Sequence, residues 1–416
     1  CPPVRFPAAC SPCSGMTAVA HPRREAAISL LADLVGFPSV SLRPNGPIVT
    51  HIESYLKAQR VTCWRDPHPD GERFNMLARI GPEMAGGVLL SGHLDVVPAG
   101  DGGWGADPFT LHRRNGRLFG RGAVDMKGFL AMALAMVPDF MAQADRLSEP
   151  LYLAFTFDEE IGCFGAERMP AFLKSCSATP RLAVIGEPTG MKPINGHKGG
   201  MELMTRIKGV AGHASRPSNG VNAVHAAARL ISFIEELAAE YAANPVPGSP
   251  FDPPCSTLSV GTVSGGSARN IIAGECRLDW EIRALPGDDP LHIHSRVTDF
   301  IDKDLLPAMK AADERCTIST EMLSNVPPLG PKPDCAATEL VSRLWTNEAP
   351  TVVSFGTDGP FFQQAGMDVI VIGPGGMAQM HQVDEYITEQ AVDEGLTFLE
   401  RLLSEMTGSA GDEAGR

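Results

Sequence analysis

Val88-Leu89-Leu90-Ser91-Gly92-His93-Leu94-Asp95-Val96-Val97-Pro98 is the stretch whose reading decides the fold. A short apolar run, Val88 to Leu90, leads through Ser91 and Gly92 to a histidine and an aspartate, His93 and Asp95. The same arrangement recurs twice. Leu151 to Phe157 runs into Asp158-Glu159-Glu160-Ile161-Gly162, and Leu182 to Ile185 runs into Gly186-Glu187-Pro188-Thr189. A fourth apolar run spans Val369 to Ile372. These runs are strand-length and alternate with stretches of helical spacing, at Arg24 to Val35, Ile48 to Gln59, Lys127 to Val137 and Glu167 to Leu173. Short apolar strands alternating with helices predict an α/β fold whose sheet is covered on both faces.

A second rhythm occupies Met201 to Met322. An alternating strand (Met201 to Val210) precedes a long helix (Val221 to Tyr241). Strand patterns at Thr257 to Val263 and Glu275 to Arg283 follow, then a helix near Leu291 to Met309 and a last strand, Cys316 to Met322. The order β-α-β-β-α-β is the split-βαβ pattern. It predicts a smaller unit inserted into the larger one, to which the chain returns from Ala336 to Glu405.

At 416 residues, 44% of them hydrophobic, the chain is long enough for two cores. Its 49 acidic against 35 basic residues give a net charge of -14, which argues against nucleic acid as a partner. No apolar stretch approaches the length of a membrane span. The ten cysteines are scattered, apart from a lone Cys10-x-x-Cys13, and are expected to be reduced, as in the cytoplasm. Residues 1–16 are rich in Pro and Cys and lack an apolar leader core. Met16 is read as the start, with a disordered tail before it.

Charged residues at the ends of apolar strands are what a site needs, because ligands of open α/β sheets gather there. Asp125, in Gly120-Arg121-Gly122-Ala123-Val124-Asp125-Met126-Lys127-Gly128, falls just before a helix, and His381 lies in a late polar loop. Taken singly, each feature has a plain structural reading: a core histidine, a solvated acidic turn, a helix N-cap, an exposed histidine. Taken together, His93, Asp125, Glu160, Glu187 and His381 supply two imidazoles and three carboxylates. A pair of zinc ions requires such a set, with one carboxylate shared. Cobalt suits the same donors. Asp95, two residues after His93, is placed to fix that ring's tautomer.

HLDVVP, GRGAVDMKG, FDEEIGCFGAE, GEPT, GVAGHASRP and GPGGMAQMHQVDEY, in this order, resemble the motifs of the M20 metallopeptidase family over about Glu25 to Leu403. The phrases EIRALPGDDP, SFGTDGPFF and GPGGMAQMHQVDEY are similar to segments of its acetylornithine deacetylase branch. The resemblance implies a zinc-peptidase-like catalytic domain with a mixed sheet (17–200 and 324–409) and an inserted ferredoxin-like lid and dimerisation domain (201–323). His93 and Glu187 would then belong to one ion, Glu160 and His381 to the other, and Asp125 to both. Glu159 matches the family's general base and Asp95 its supporting aspartate. His213 matches a histidine that in dimeric relatives crosses to the partner's site. That role implies a homodimer as assembly. Asn270 and Arg283 fall where relatives hold substrate, which implies a small acyl-amino acid as partner. Asp358 of SFGTDGPFF stands where many relatives carry glutamate. Desuccinylases of succinyl-diaminopimelate, aminoacylases and dipeptidases share most of these motifs. A catalytically inactive scaffold homologue would have lost a ligand or Glu159, and none is lost.

Overall fold

The computed structural model describes residues 20–408, so the expectations about Cys10, Cys13 and the stretch before Met16 lie outside the described residues. The larger sheet has eight strands, in the spatial order Thr62–Pro67, Phe74–Ile80, Leu151–Thr156, Val88–His93, Leu182–Ile185, Asp368–Val371, Ile194–His197 and Thr351–Val353. Its centre, from Leu151–Thr156 to Asp368–Val371, is parallel, whereas Thr62–Pro67 and Phe74–Ile80 pair antiparallel. The sheet is therefore mixed, as expected.

Successive residues of a strand face opposite sides of a sheet, so a strand covered on both sides must be apolar throughout. Leu90, Leu153 and Val184 join one core, beneath the helices Arg24–Val35, Lys127–Ala142 and Glu389–Met406. Their neighbours Leu89, Ala154 and Ala183 join the opposite core, with Met169 and Phe172 of the helix Phe164–Ser175. Lys127–Ala142 is buried around almost its whole circumference, which marks a central helix rather than a surface one. Its Lys127 is fully buried, and the Nζ donates to the carbonyls of Leu34 and Phe37 at 3.0 and 2.8 Å, which satisfies the end of the first helix. Burial pushes this amine down to about 7.

The inserted unit has its own four-stranded antiparallel sheet, in the order Thr257–Gly265, Glu275–Arg283, Gly200–Lys208, Thr317–Val326. Met201, Leu203, Ile207, Leu278 and Ile282 pack against Leu230, Ile234 and Val297 of its helices. The intervening side chains, Glu202 and Arg206 among them, face away from this core. The helix expected over Leu291 to Met309 is divided into Pro290–Phe300, a π turn at Ile301–Leu305, and Leu306–Ala312. Pro307 has no N–H for the carbonyl four residues earlier, and the wider turn accommodates its ring. No helix among the described residues is long and apolar enough to cross a membrane. The seven described cysteines are free.

Candidate metal centre

His93 closes the strand Val88–His93, the Asp158-Glu159-Glu160 turn follows Leu151–Thr156, and Glu187 follows Leu182–Ile185 by two residues. Three neighbouring parallel strands thus end at one place, and their length is what aims these side chains at each other. Asp125 does not cap the helix behind it: the cap position is Met126, and its side chain makes no capping bond. Instead Asp125 Oδ1 lies 3.1 Å from His93 Nε2, and its Oδ2 lies 3.1 Å from His381 Nε2. His381 Nε2 also lies 2.8 Å from Glu160 Oε2, and His93 Nε2 lies 3.7 Å from Glu187 Oε1. All five residues expected to bind metal therefore meet, with Asp125 between the two imidazoles. His381 reaches the centre from a loop in which its own φ is +57°, and its side chain is 47% exposed.

Asp95 supports the centre differently from the expectation. The ring N–H of His93 at Nδ1 goes to the backbone carbonyl of Asp95, at 2.9 Å, and the carboxylate lies farther off, at 3.7 Å. That carboxylate accepts the backbone N–H groups of Glu159 and Glu160 at 3.0 and 3.3 Å and the Ser41 hydroxyl at 2.7 Å. Asp95 therefore holds the turn that presents the two glutamates. The bond at Nδ1 leaves Nε2 of His93 with its lone pair toward the carboxylates.

The donor set fits a divalent metal pair. Glu160 Oε1 and Glu187 Oε1 are buried without a hydrogen-bond partner, an arrangement that is costly unless a cation answers it. Atoms of His93, Asp125 and Glu160, and of His93, Glu159 and Glu187, come close enough to share an ion. The electrostatics agree. Burial, and then the negative charges around them, push Glu159 and Glu187 well above the usual carboxylate range, and Glu160 shifts in the same direction. Hydrogen bonds to Asp125 and Glu160 raise His381 to about 10, and His93 is driven up by its neighbours despite full burial. Burial opposes the charge on Asp125, but the two histidines outweigh it and hold its carboxyl below the ordinary range. So many buried carboxylates demand positive charge, whether from protons or from ions.

Three further groups support the centre. Glu385, 1% exposed, accepts the N–H groups of Gly122, Val124 and Asp125 at 3.0, 2.9 and 3.1 Å, and Arg121 at 2.7 Å. It anchors the loop that carries Asp125. Its only sequence signal is its place four residues after His381. Cys163, in the left-handed region at φ +56°, sets its Sγ 3.7 Å from Glu159 Oε1. Asp358, noted only as a departure, accepts the Thr156 hydroxyl at 2.6 Å and comes close to both Glu159 and Cys163. Burial pushes its carboxyl up to about 6.

A cavity of about 490 Å³ opens over the centre. Asp125, Glu159, Glu160, Glu187 and His381 form one wall, and Glu202, Arg283 and Ser324 of the inserted unit form the other, with Phe355, Met377 and Met380 at the sides. Arg283 therefore lies where expected, but its Nε and Nη2 are engaged by Glu281 at 3.0 and 2.7 Å, so Nη1 is the part left for a ligand. His213 and Asn270 do not line this cavity. His213 pairs with Ile271 in a short two-stranded ribbon, where its Nδ1 accepts from Ser215, and Asn270 is an exposed residue of the adjoining turn.

Residues 89–405 match the model of peptidase family M20/M25/M40. The chain belongs to that family. As an M20 protein it is a metal-dependent hydrolase. It is 38% identical over 318 residues to the acetylornithine deacetylase of Pectobacterium carotovorum, covering 76% of this chain and 79% of the relative. The acetylornithine deacetylase of Pectobacterium atrosepticum matches at 39% over the same shares. Among solved structures, an M20 metallo-carboxypeptidase from Sulfolobus solfataricus superposes with a TM-score of 0.72 at 17% identity, covering 92% of this chain and 99% of that one. A tripeptidase from Staphylococcus aureus gives 0.69 at 20%, covering 92% and 99%. These structures share the M20 fold.

Proposed function

We propose that the protein hydrolyses N2-acetyl-L-ornithine to L-ornithine and acetate, a step of arginine synthesis, with two zinc ions held by His93, Asp125, Glu160, Glu187 and His381. The observation that carries the substrate is the identity of 38 and 39% to two acetylornithine deacetylases. What supports amide hydrolysis is the centre itself, with a raised carboxyl beside a two-histidine, three-carboxylate set. Lewis acidity toward water and toward the scissile carbonyl is the chemistry such ions supply when bound, and cobalt would supply it too.

The remaining work falls to side chains. Glu159 Oε1 is turned toward Cys163, Oε2 faces His93 Nε2 at 4.0 Å, and the residue lines the cavity. From there Glu159 takes the proton of the attacking water and delivers it to the departing nitrogen, which must leave as a neutral amine. The backbone bonds from Glu159 and Glu160 to Asp95 keep this carboxyl in place. Arg283 Nη1 meets the substrate carboxylate, and Asn270 remains proposed as a weaker substrate contact. His213 is proposed to stabilise the oxyanion in the partner's site of a homodimer. Its position outside its own chain's cavity is what supports that role. A His213→Ala chain mixed with an Asp125→Asn chain should then regain up to about a quarter of wild-type activity, as random pairing would give one intact site in half of the dimers. Mixtures as inactive as either parent would count against it. The reaction is assigned to the cytoplasm, where the seven unpaired cysteines among the described residues stay reduced.

The decisive assay is release of L-ornithine from N2-acetyl-L-ornithine by the purified protein, before and after chelation and with zinc or cobalt restored. Turnover that chelation abolishes and metal restores is expected. A metal-loaded protein that cleaves dipeptides or succinylated substrates but not acetylornithine would replace this reading with one of the other M20 activities.

A further inference from the structure

The wall that the inserted sheet contributes to the cavity carries a negative charge that no other described residue balances. Glu202, on Gly200–Lys208, lies directly across from Glu281 on Glu275–Arg283 and from Ser324 on Thr317–Val326. Two carboxylates opposed on one face of a sheet repel each other. Arg283 relieves only one of them, because its Nε and Nη2 both bond to Glu281 Oε2. Among the described residues, the Glu202 carboxylate has neither an ion-pair nor a hydrogen-bond partner, and it is exposed to the cavity. Two divalent ions would balance the charge of Asp125, Glu159, Glu160 and Glu187 across the cavity. Glu202 would then remain as the uncompensated anion on the substrate side.

We propose that Glu202 is the subsite for a distal ammonium on the substrate, so that the cavity selects acyl-amino acids with a basic side chain over neutral or acidic ones. This rests on the amidohydrolase reading above and sharpens it. Arg283 Nη1 and Glu202 lie on neighbouring strands of one wall, and together they form a dipolar receptor. A substrate carboxylate goes to the first, and the side-chain amine goes to the second through a charge-assisted hydrogen bond. A neutral side chain of the same length leaves Glu202 unanswered, and an acidic one adds a second repulsion beside Glu281. Discrimination by an unsatisfied polar group is the stronger kind, because the wrong substrate leaves the site's own charge unpaired.

The test compares kcat/KM for N-acetyl-L-ornithine with that for N-acetyl-L-norleucine, whose side chain has the same length and no charge. The wild type should prefer the ornithine compound. Glu202→Gln should lower that preference by about tenfold or more, mainly through KM, and Glu202→Asp should retain most of it. Removing the charge opposite Glu281 should leave Tm equal to or above the wild type, so a selectivity change is not confused with unfolding. A Glu202→Gln enzyme that keeps the wild-type preference within about twofold overturns the subsite and leaves the hydrolase reading intact. A wild type that prefers the norleucine or a glutamate analogue overturns both the subsite and the acetylornithine assignment. A metal-loaded wild type that cleaves no acyl-amino acid overturns the reading beneath both.

Discussion

Asp125 and Glu385 show how differently two buried carboxylates can be used. Asp125 places one oxygen on each imidazole, whereas Glu385 gives both of its oxygens to backbone N–H groups and Arg121. Glu385→Gln keeps the shape but weakens the acceptor, so the loop carrying Asp125 should loosen. Metal affinity should fall roughly 10- to 100-fold, read by competition with a fluorescent chelator. Glu159→Gln should do the reverse, with kcat down about 10²- to 10⁴-fold and metal content unchanged. Equal metal loss in both variants would mean that Glu159 serves as a ligand rather than a base. His93, Glu160 and Glu187 were legible in sequence because charge ended an apolar run. Glu385 was not, since a DEY triplet in a polar loop carries no sign that folding will bury it.

At the scale of elements, the four central parallel strands were legible because full burial requires an unbroken apolar run, as in Leu151–Thr156 and Leu182–Ile185. Thr62–Pro67 and Thr351–Val353 passed unnoticed because they form the sheet's two edges, where exposure permits polar residues and blurs the pattern. The meeting of strand ends depends on close backbone approach at Gly373. A Cβ there would lie 2.3 Å from the Gly186 carbonyl oxygen and 2.6 Å from that of Glu187. Gly373→Ala must move the turn that presents Glu187. It should destabilise the protein by about 1–3 kcal/mol and lower metal occupancy, measured by calorimetry and metal analysis of the same sample. An unchanged Tm with full metal content would show that this turn is softer than its packing indicates.

The whole molecule couples its stability to the charge of the centre. Without metal, burial and crowded charge raise Glu159 and Glu187, and Asp125 and Glu160 raise His381 to about 10. A group whose folded pKa is raised gives stability that is complete below its unfolded value and lost as pH climbs through the folded one. For the glutamates that loss begins near 4.5, and for His381 it runs from about 6.5 to about 10. Asp125 has the opposite sign, and its contribution is lost only in stronger acid. Ions replace the protons, so the Tm gap between metal-loaded and stripped protein should widen steadily between about pH 5 and pH 9. Calorimetry with and without chelator measures it, and a gap that narrows with pH would contradict the charge balance.

The central parallel strands, the helices that alternate with them, and the placing of His93, Glu160 and Glu187 after strand ends were set by local chemistry: apolar runs, helical spacing, and charges where apolar runs stop. The sequence by itself determined these, because burial on both faces of a sheet constrains every residue of a strand. Only the tertiary structure decided that the Asp95 carbonyl rather than its carboxylate holds His93, that Glu385 anchors the Asp125 loop, and that Arg283 is shared with Glu281 while Glu202 is left unpaired. Each of these depends on which backbone or side-chain atom arrives from a distant part of the chain. Spacing along one strand cannot encode such a partner.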